Sequence, residues 1–149
     1  MIADGWNVLV FPEGTRSKDG WMGEFRMGAA RLCLENGIPA VPIALRGTYQ
    51  SMPRGRGWPK PGRLPVNVRF GEPVRPEDGE LPPDFAARMR AALELLLEED
   101  RTTWYEALKR DATGDLTPAT GPKAAAWRRI WDAGEPVADP VHARRAWPR

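Results

Sequence analysis

Apolar positions along the chain fall into short runs with two distinct periods. Trp6-Asn7-Val8-Leu9-Val10-Phe11, bounded by Gly5 and Pro12, is rich in β-forming residues and predicts a buried strand. Phe25, Ala29, Leu32 and Cys33 then recur at helical spacing, and Gly37 stands where a helix C-cap belongs. Ala40-Val41-Pro42-Ile43-Ala44-Leu45 predicts a second strand, with its inner proline implying an edge, a bulge or the strand start. Strand, helix and strand within about forty residues is the spacing of a right-handed parallel βαβ unit. Residues 64–70 alternate well enough for a further strand. Residues 85–99 place Phe85, Met89, Ala92, Leu93 and Leu96 on one helical face, and a shorter helix is predicted over 103–110.

Turn-forming residues divide the rest of the chain. Residues 53–65, PRGRGWPKPGRLP, lack backbone donors at the prolines and are loosened at the glycines, which predicts a long surface loop. Residues 111–122 are polar and turn-rich and predict a linker, which separates a domain over 1–110 from a tail over 123–149. In that tail, 123–132 predicts a short helix with Trp127 and Trp131 on one side. These indoles either dock the tail onto the domain or, with Arg128 and Arg129, meet a lipid surface.

Composition narrows the possibilities. At 149 residues with 42% hydrophobic content the chain is long enough for one domain, and disorder throughout is excluded. No apolar run exceeds four residues, so a transmembrane helix is excluded, and the first residues lack the basic and apolar regions of a secretory signal. One cysteine, Cys33, rules out an internal disulfide and fits a reducing compartment. On the apolar face of its helix it reads as inert packing. One histidine, His142, rules out a two-histidine metal site. The net charge is only +2, but no Asp or Glu lies between Glu35 and Glu72, where Arg46, Arg54, Arg56, Lys60, Arg63 and Arg69 all fall. Such a window makes a local positive field unless carboxylates from elsewhere in the fold neutralise it.

The segment with the most chemistry is Phe11-Pro12-Glu13-Gly14-Thr15-Arg16-Ser17, which follows the first predicted strand. Loops at the C-terminal ends of parallel strands are where α/β proteins place ligands. Gly14 allows close backbone approach, Thr15 and Ser17 offer hydroxyls, and Arg16 offers a planar fork that fits a phosphate. Glu13 suits orienting a cation or accepting from a substrate hydroxyl. A plain tight turn with an Arg–Glu surface pair is the competing description.

FPEGTRS closely resembles the glycerophosphate-acceptor motif of the phospholipid/glycerol acyltransferase family, which includes 1-acylglycerol-3-phosphate acyltransferases. Phe25-Arg26-Met27-Gly28-Ala29 is similar to that family's F-K-x-G-[AS] helix start, with arginine for lysine. Val41-Pro42-Ile43-Ala44-Leu45 is similar to its V-P-[VI]-x-[IL] strand motif. The three matches are in order and carry the resemblance from about Gly5 to Leu97. It implies a mostly parallel sheet flanked by helices, lacking its N-terminal strands and helices, and transfer of a fatty acyl group from acyl-CoA or acyl-carrier protein to a glycerolipid hydroxyl. By the same resemblance Glu13, Gly14, Thr15 and Arg16 hold the acceptor's phosphate and glycerol, Pro42 shapes the acyl-thioester side, and residues 25–29 support the acceptor loop. No cofactor or metal is implied, and the setting is the cytoplasmic face of a membrane.

The family's general base is the histidine of an N-H-x-x-x-x-D motif that precedes the acceptor loop. No such motif is present here, and His142, with Trp147 five residues later, does not replace it. The chain is therefore expected to be the C-terminal half of such an enzyme, with Val8, Val10 and Val41 exposed, poor solubility and no acyl transfer alone. The alternatives are a non-catalytic binder of anionic lipid headgroups, a half that complements another polypeptide, and a nucleic-acid binder that stacks bases on Tyr49 and Trp58. The last lacks any recognised nucleic-acid motif.

Overall fold

The computed structural model describes residues 2–121. A short 3-10 turn, Ile2–Asp4, leads through an irregular segment and the turn at Gly14 to α1, Gly28–Asn36. Gly37 ends α1 in the left-handed region at φ 62°, a conformation that glycine adopts without a Cβ clash. Next come β1 (Ile43–Arg46), the single turn α2 (Thr48–Ser51), β2 (Asn67–Phe70), α3 (Pro82–Arg101) and α4 (Trp104–Thr113). Proline at the first turn of α3 suits the donors that need no partner there, and Asp84 and Arg101 complement the helix dipole at its two ends. Thr103 caps α4 by accepting from the Glu106 amide.

The sheet has two strands, β1 and β2, paired antiparallel with Ile43 opposite Phe70 and Arg46 opposite Asn67. An isolated antiparallel bridge, Ala40 to Val74, continues the pairing. This corrects the expectation of a mostly parallel sheet. Residues 6–11 form no strand. They belong to no regular element, and every apolar side chain is exposed, Leu9 to 71%. The physical reason is pairing: a strand needs a neighbour's donors and acceptors, and no backbone hydrogen bond joins residues 6–10 to another segment among the described residues. Val8, Val10 and Val41 are exposed, as expected.

The core lies between α1 and α3, where Ala30 and Cys33 meet Phe85, Ala86 and Met89, with Met27, Leu34, Ile38 and Val74 packed around them. Burial pushes the Cys33 thiol pKa up, which favours the unreactive thiol. Residues 115–121 return across the molecule. Ala119 is buried and its carbonyl accepts from the Met22 amide at 3.0 Å. The indole helix predicted over 123–132 and His142 lie outside the described residues.

Part of the basic window is neutralised by α3. Asp100 accepts from Arg46 Nη1 at 2.9 Å and from Arg69 Nε at 3.0 Å. Its side chain is nearly buried. Burial pushes the Asp100 pKa up, but the two guanidinium groups outweigh burial and hold the carboxyl below its ordinary value. A group depressed in the folded state stabilises fully above its unfolded pKa, about 3.9, and loses that contribution as pH falls through the folded value. Asp100→Asn is therefore expected to lower stability at pH 7 by about 1–3 kcal/mol, with the difference from wild type shrinking below about pH 4. Denaturant midpoints measured from pH 7 to pH 2 check this. A pH-independent difference contradicts it.

Candidate functional site

The turn at Gly14 is built from short-range bonds. The Gly14 amide donates to the Phe11 carbonyl at 3.0 Å, and Gly14 takes φ +68°, the left-handed position that closes the turn. The Arg26 amide donates to the Pro12 carbonyl at 2.8 Å, which ties the turn to the segment leading into α1. Glu13 Oε2 accepts from the Gly23 amide at 2.7 Å. Ser17 is spent on local geometry: its hydroxyl accepts from the Gly20 amide at 2.8 Å and lies 2.8 Å from the Trp21 carbonyl, to which it donates.

Two guanidinium groups flank this turn in different ways. Arg26 lies directly over Gly14, so that a Cβ built on the glycine would meet Arg26 Nε at 2.8 Å. The Arg26 side chain is exposed and makes no hydrogen bond or ion pair with the described residues. Arg16 instead reaches across to the proline-rich loop, where Nη1 donates to the carbonyls of Pro53 (3.2 Å) and Arg56 (2.9 Å). Its Nε–Nη2 edge has no such partner among the described residues. Thr15 is exposed beside it. From α3, Arg90 supports the segment behind the turn: Nη1 donates to the Gly23 carbonyl at 3.3 Å and the guanidinium lies over the Phe25 ring.

The structure therefore gathers Glu13, Gly14 and Arg26 and leaves Thr15 and one edge of Arg16 open. Pro42 is placed differently. It is buried at the start of β1, its carbonyl accepts from the Gly71 amide at 2.9 Å, and its ring packs where a Gly71 side chain would stand. Arg26 is the member that sequence reasoning left out of the binding set, although it stands within the Phe25–Ala29 match. Glu13 forms no ion pair with Arg16 among the described residues, since its carboxylate holds Gly23. No group of three or more possible metal ligands occurs among the described residues.

A family model described as Acyltransferase matches residues 1–46, a span that contains the Gly14 turn, the Arg26 segment and all of β1. That segment is acyltransferase-family sequence. The chain is 49% identical over 55 residues to a chloroplastic 1-acyl-sn-glycerol-3-phosphate acyltransferase of Brassica napus, covering 37% of this chain and 16% of the relative. It is 41% identical over 76 residues to a 1-acyl-sn-glycerol-3-phosphate acyltransferase of Pseudomonas aeruginosa, covering 50% of this chain and 28% of the relative. Against the alpha form from Mus musculus the identity is 39% over 70 residues, covering 46% and 24%. The match thus spans less than a third of each of these acyltransferases. No solved structure matches.

Proposed function

We propose that this chain provides the acceptor-binding part of an acyltransferase that moves a fatty acyl group from acyl-CoA or acyl-carrier protein to a hydroxyl of lysophosphatidate or a similar glycerolipid. The observation that carries the proposal is the pair of guanidinium groups at the Gly14 turn, Arg26 lying over it and Arg16 with a free edge. A phosphate monoester offers several acceptor oxygens, and planar guanidinium donors suit it better than a point charge. Gly14 leaves the room in which the Arg26 guanidinium lies against the turn, and Thr15 offers its hydroxyl to the glycerol. Pro42, being buried, acts on the thioester side only by fixing the course of β1.

In such a transfer the acceptor hydroxyl attacks the thioester carbonyl, a base takes the hydroxyl proton and donors stabilise the oxyanion before thiolate leaves. The turn's task is to hold the phosphate so that the hydroxyl stands in place. The proposal assigns the base to a His–Asp pair that this chain does not supply. The acceptor is a lipid, so the setting is peripheral to a membrane, at its cytoplasmic face. No helix among the described residues is long and apolar enough to cross one.

The test is binding without turnover. A short-chain, water-soluble lysophosphatidate is titrated calorimetrically into the chain, beside the corresponding uncharged monoacylglycerol. Lysophosphatidate is expected to bind more tightly, and Arg26→Ala to weaken it by about 1.5–3 kcal/mol, the range for a charge-assisted bond. Arg16→Lys is expected to weaken lysophosphatidate binding more than acyl-CoA binding, because the fork is lost while the charge stays. Equal affinity for the charged and uncharged acceptors would overturn the proposal. So would an Arg16→Lys effect confined to acyl-CoA.

A further inference from the structure

The loop over residues 53–65 is held firmly from beneath and left bare above. Its base is closed by the Lys60 amide donating to the Ser51 carbonyl at 2.8 Å, and its far end packs on Gly47, where any Cβ would meet the Pro65 carbonyl at 2.2 Å. Arg16 reaches in from the acceptor turn to the carbonyls of Pro53 and Arg56, and Arg56 Nε donates to the Trp58 carbonyl at 3.3 Å. The loop is thus tied to the protein at the carbonyls of Pro53 and Arg56 and at the Lys60 amide. Outside, Trp58 is 83% exposed, the highest value among the exposed large hydrophobic side chains, and Leu64 is exposed as well. Around them Arg54, Arg56, Lys60 and Arg63 are all exposed and have no carboxylate partner among the described residues.

An exposed indole amid cations combines two features of a surface that meets anionic lipid. Trp favours the boundary between headgroups and acyl chains, and Lys and Arg are drawn to the negative surface potential. The same charges suit a nucleic acid, but of the two aromatics that could stack bases only Trp58 stands free. Tyr49 donates its hydroxyl to the Lys18 carbonyl at 2.9 Å and its ring packs at Gly20. Arg46 and Arg69, the remaining cations of the basic window, are bound to Asp100. We propose that the 53–65 loop is a membrane-docking arm, with Trp58 entering the headgroup region of an anionic bilayer, and that Arg16 couples this arm to the acceptor turn. This deepens the proposed function, on which its biological sense rests, by naming the element that meets the lipid.

The experiment is flotation of the full chain with phosphatidylcholine vesicles containing about one-third phosphatidylglycerol, with pure phosphatidylcholine vesicles and with single-stranded oligonucleotide as comparisons. The chain is expected to bind the anionic vesicles, to release in high salt, and to lose at least tenfold in affinity in Trp58→Ala and in the double variant Lys60→Glu, Arg63→Glu. These side chains make no contact that holds the fold, and unchanged circular dichroism checks that it is retained. A fluorophore on Gly57→Cys, where the glycine has open space and Cys33 is buried, is expected to shift to the blue on anionic vesicles. Binding unchanged in both loop variants, no blue shift at residue 57, or preference for the oligonucleotide would each overturn the proposal. The acceptor titration above contains no bilayer, so failure of the arm and failure of the acceptor turn are read separately.

Discussion

Truncating Phe85 to alanine is expected to destabilise the protein by about 3–5 kcal/mol, the largest single effect of any core substitution here. Phe85 is fully buried, and it stands at the centre of the only cluster in which α1 and α3 meet among the described residues. Its neighbours Ala30, Ala86 and Cys33 are small and cannot expand into the space it leaves. A typical domain is stable by only about 5–15 kcal/mol, and this chain carries exposed apolar residues over 6–11, so the loss is a large fraction of the total. Chemical denaturation of Phe85→Ala beside Phe85→Leu checks this. Leucine restores most of the volume and is expected to recover more than half of the loss. A loss below about 1 kcal/mol in the alanine variant would mean that α1 and α3 do not share this core.

Replacing Arg110 with methionine is expected to cost about 3 kcal/mol, at the low end of the range for breaking a buried ion pair. Glu98 on α3 is 1% exposed and is paired with Arg110 of α4 and with Arg101, while the Thr117 side chain also bonds to it. Burial alone raises the Glu98 pKa, but these partners outweigh it, and the net direction is downward. Methionine removes one of the two cationic partners and leaves the carboxylate in a dry site with Thr117 and with Arg101 at 3.5 Å. Because Arg101 remains and Arg110 is itself partly exposed, the cost stays below the extreme. The sign with pH follows. A depressed folded-state pKa stabilises above the ordinary value near 4.3 and is lost as pH falls through the folded value, so the gap between wild type and Arg110→Met narrows in acid. Denaturant midpoints at pH 7 and pH 3 provide the check. A gap that widens in acid contradicts the assignment.

The helices were legible because each carries its own hydrogen bonds and one periodic face. Residues 85–99 predict the body of α3, and Phe85, Met89 and Leu96 are buried on it. Gly37 ends α1 as expected, and α4 starts beside the Thr103 cap. The site was legible only as a segment. FPEGTRS marked the turn, but the glycine that opens it also receives Arg26, and that contact depends on where the chain enters α1. Arg16 was read as a phosphate ligand from its type and position. Its hold on the loop carbonyls 37 and 40 residues away is a long-range fact with no local signature. The six-cation window misled in part for the same reason, since Asp100, which binds two of its members, comes from α3.

Residues 6–11 mark the boundary most clearly. Their β-forming content expresses a preference for extended backbone. Whether an extended segment becomes a strand depends on a neighbour's donors and acceptors, which no local preference supplies. The sequence by itself determined the helices, the glycine-closed turns and the family of the first 46 residues, because those depend on contacts within a few residues or on residue identity alone. Tertiary structure alone decided the antiparallel pairing of β1 with β2, the two destinations of the guanidinium groups and the carboxylate that quiets half the sheet's charge. Each of these joins atoms that the chain separates by tens of residues, and only packing brings them within reach.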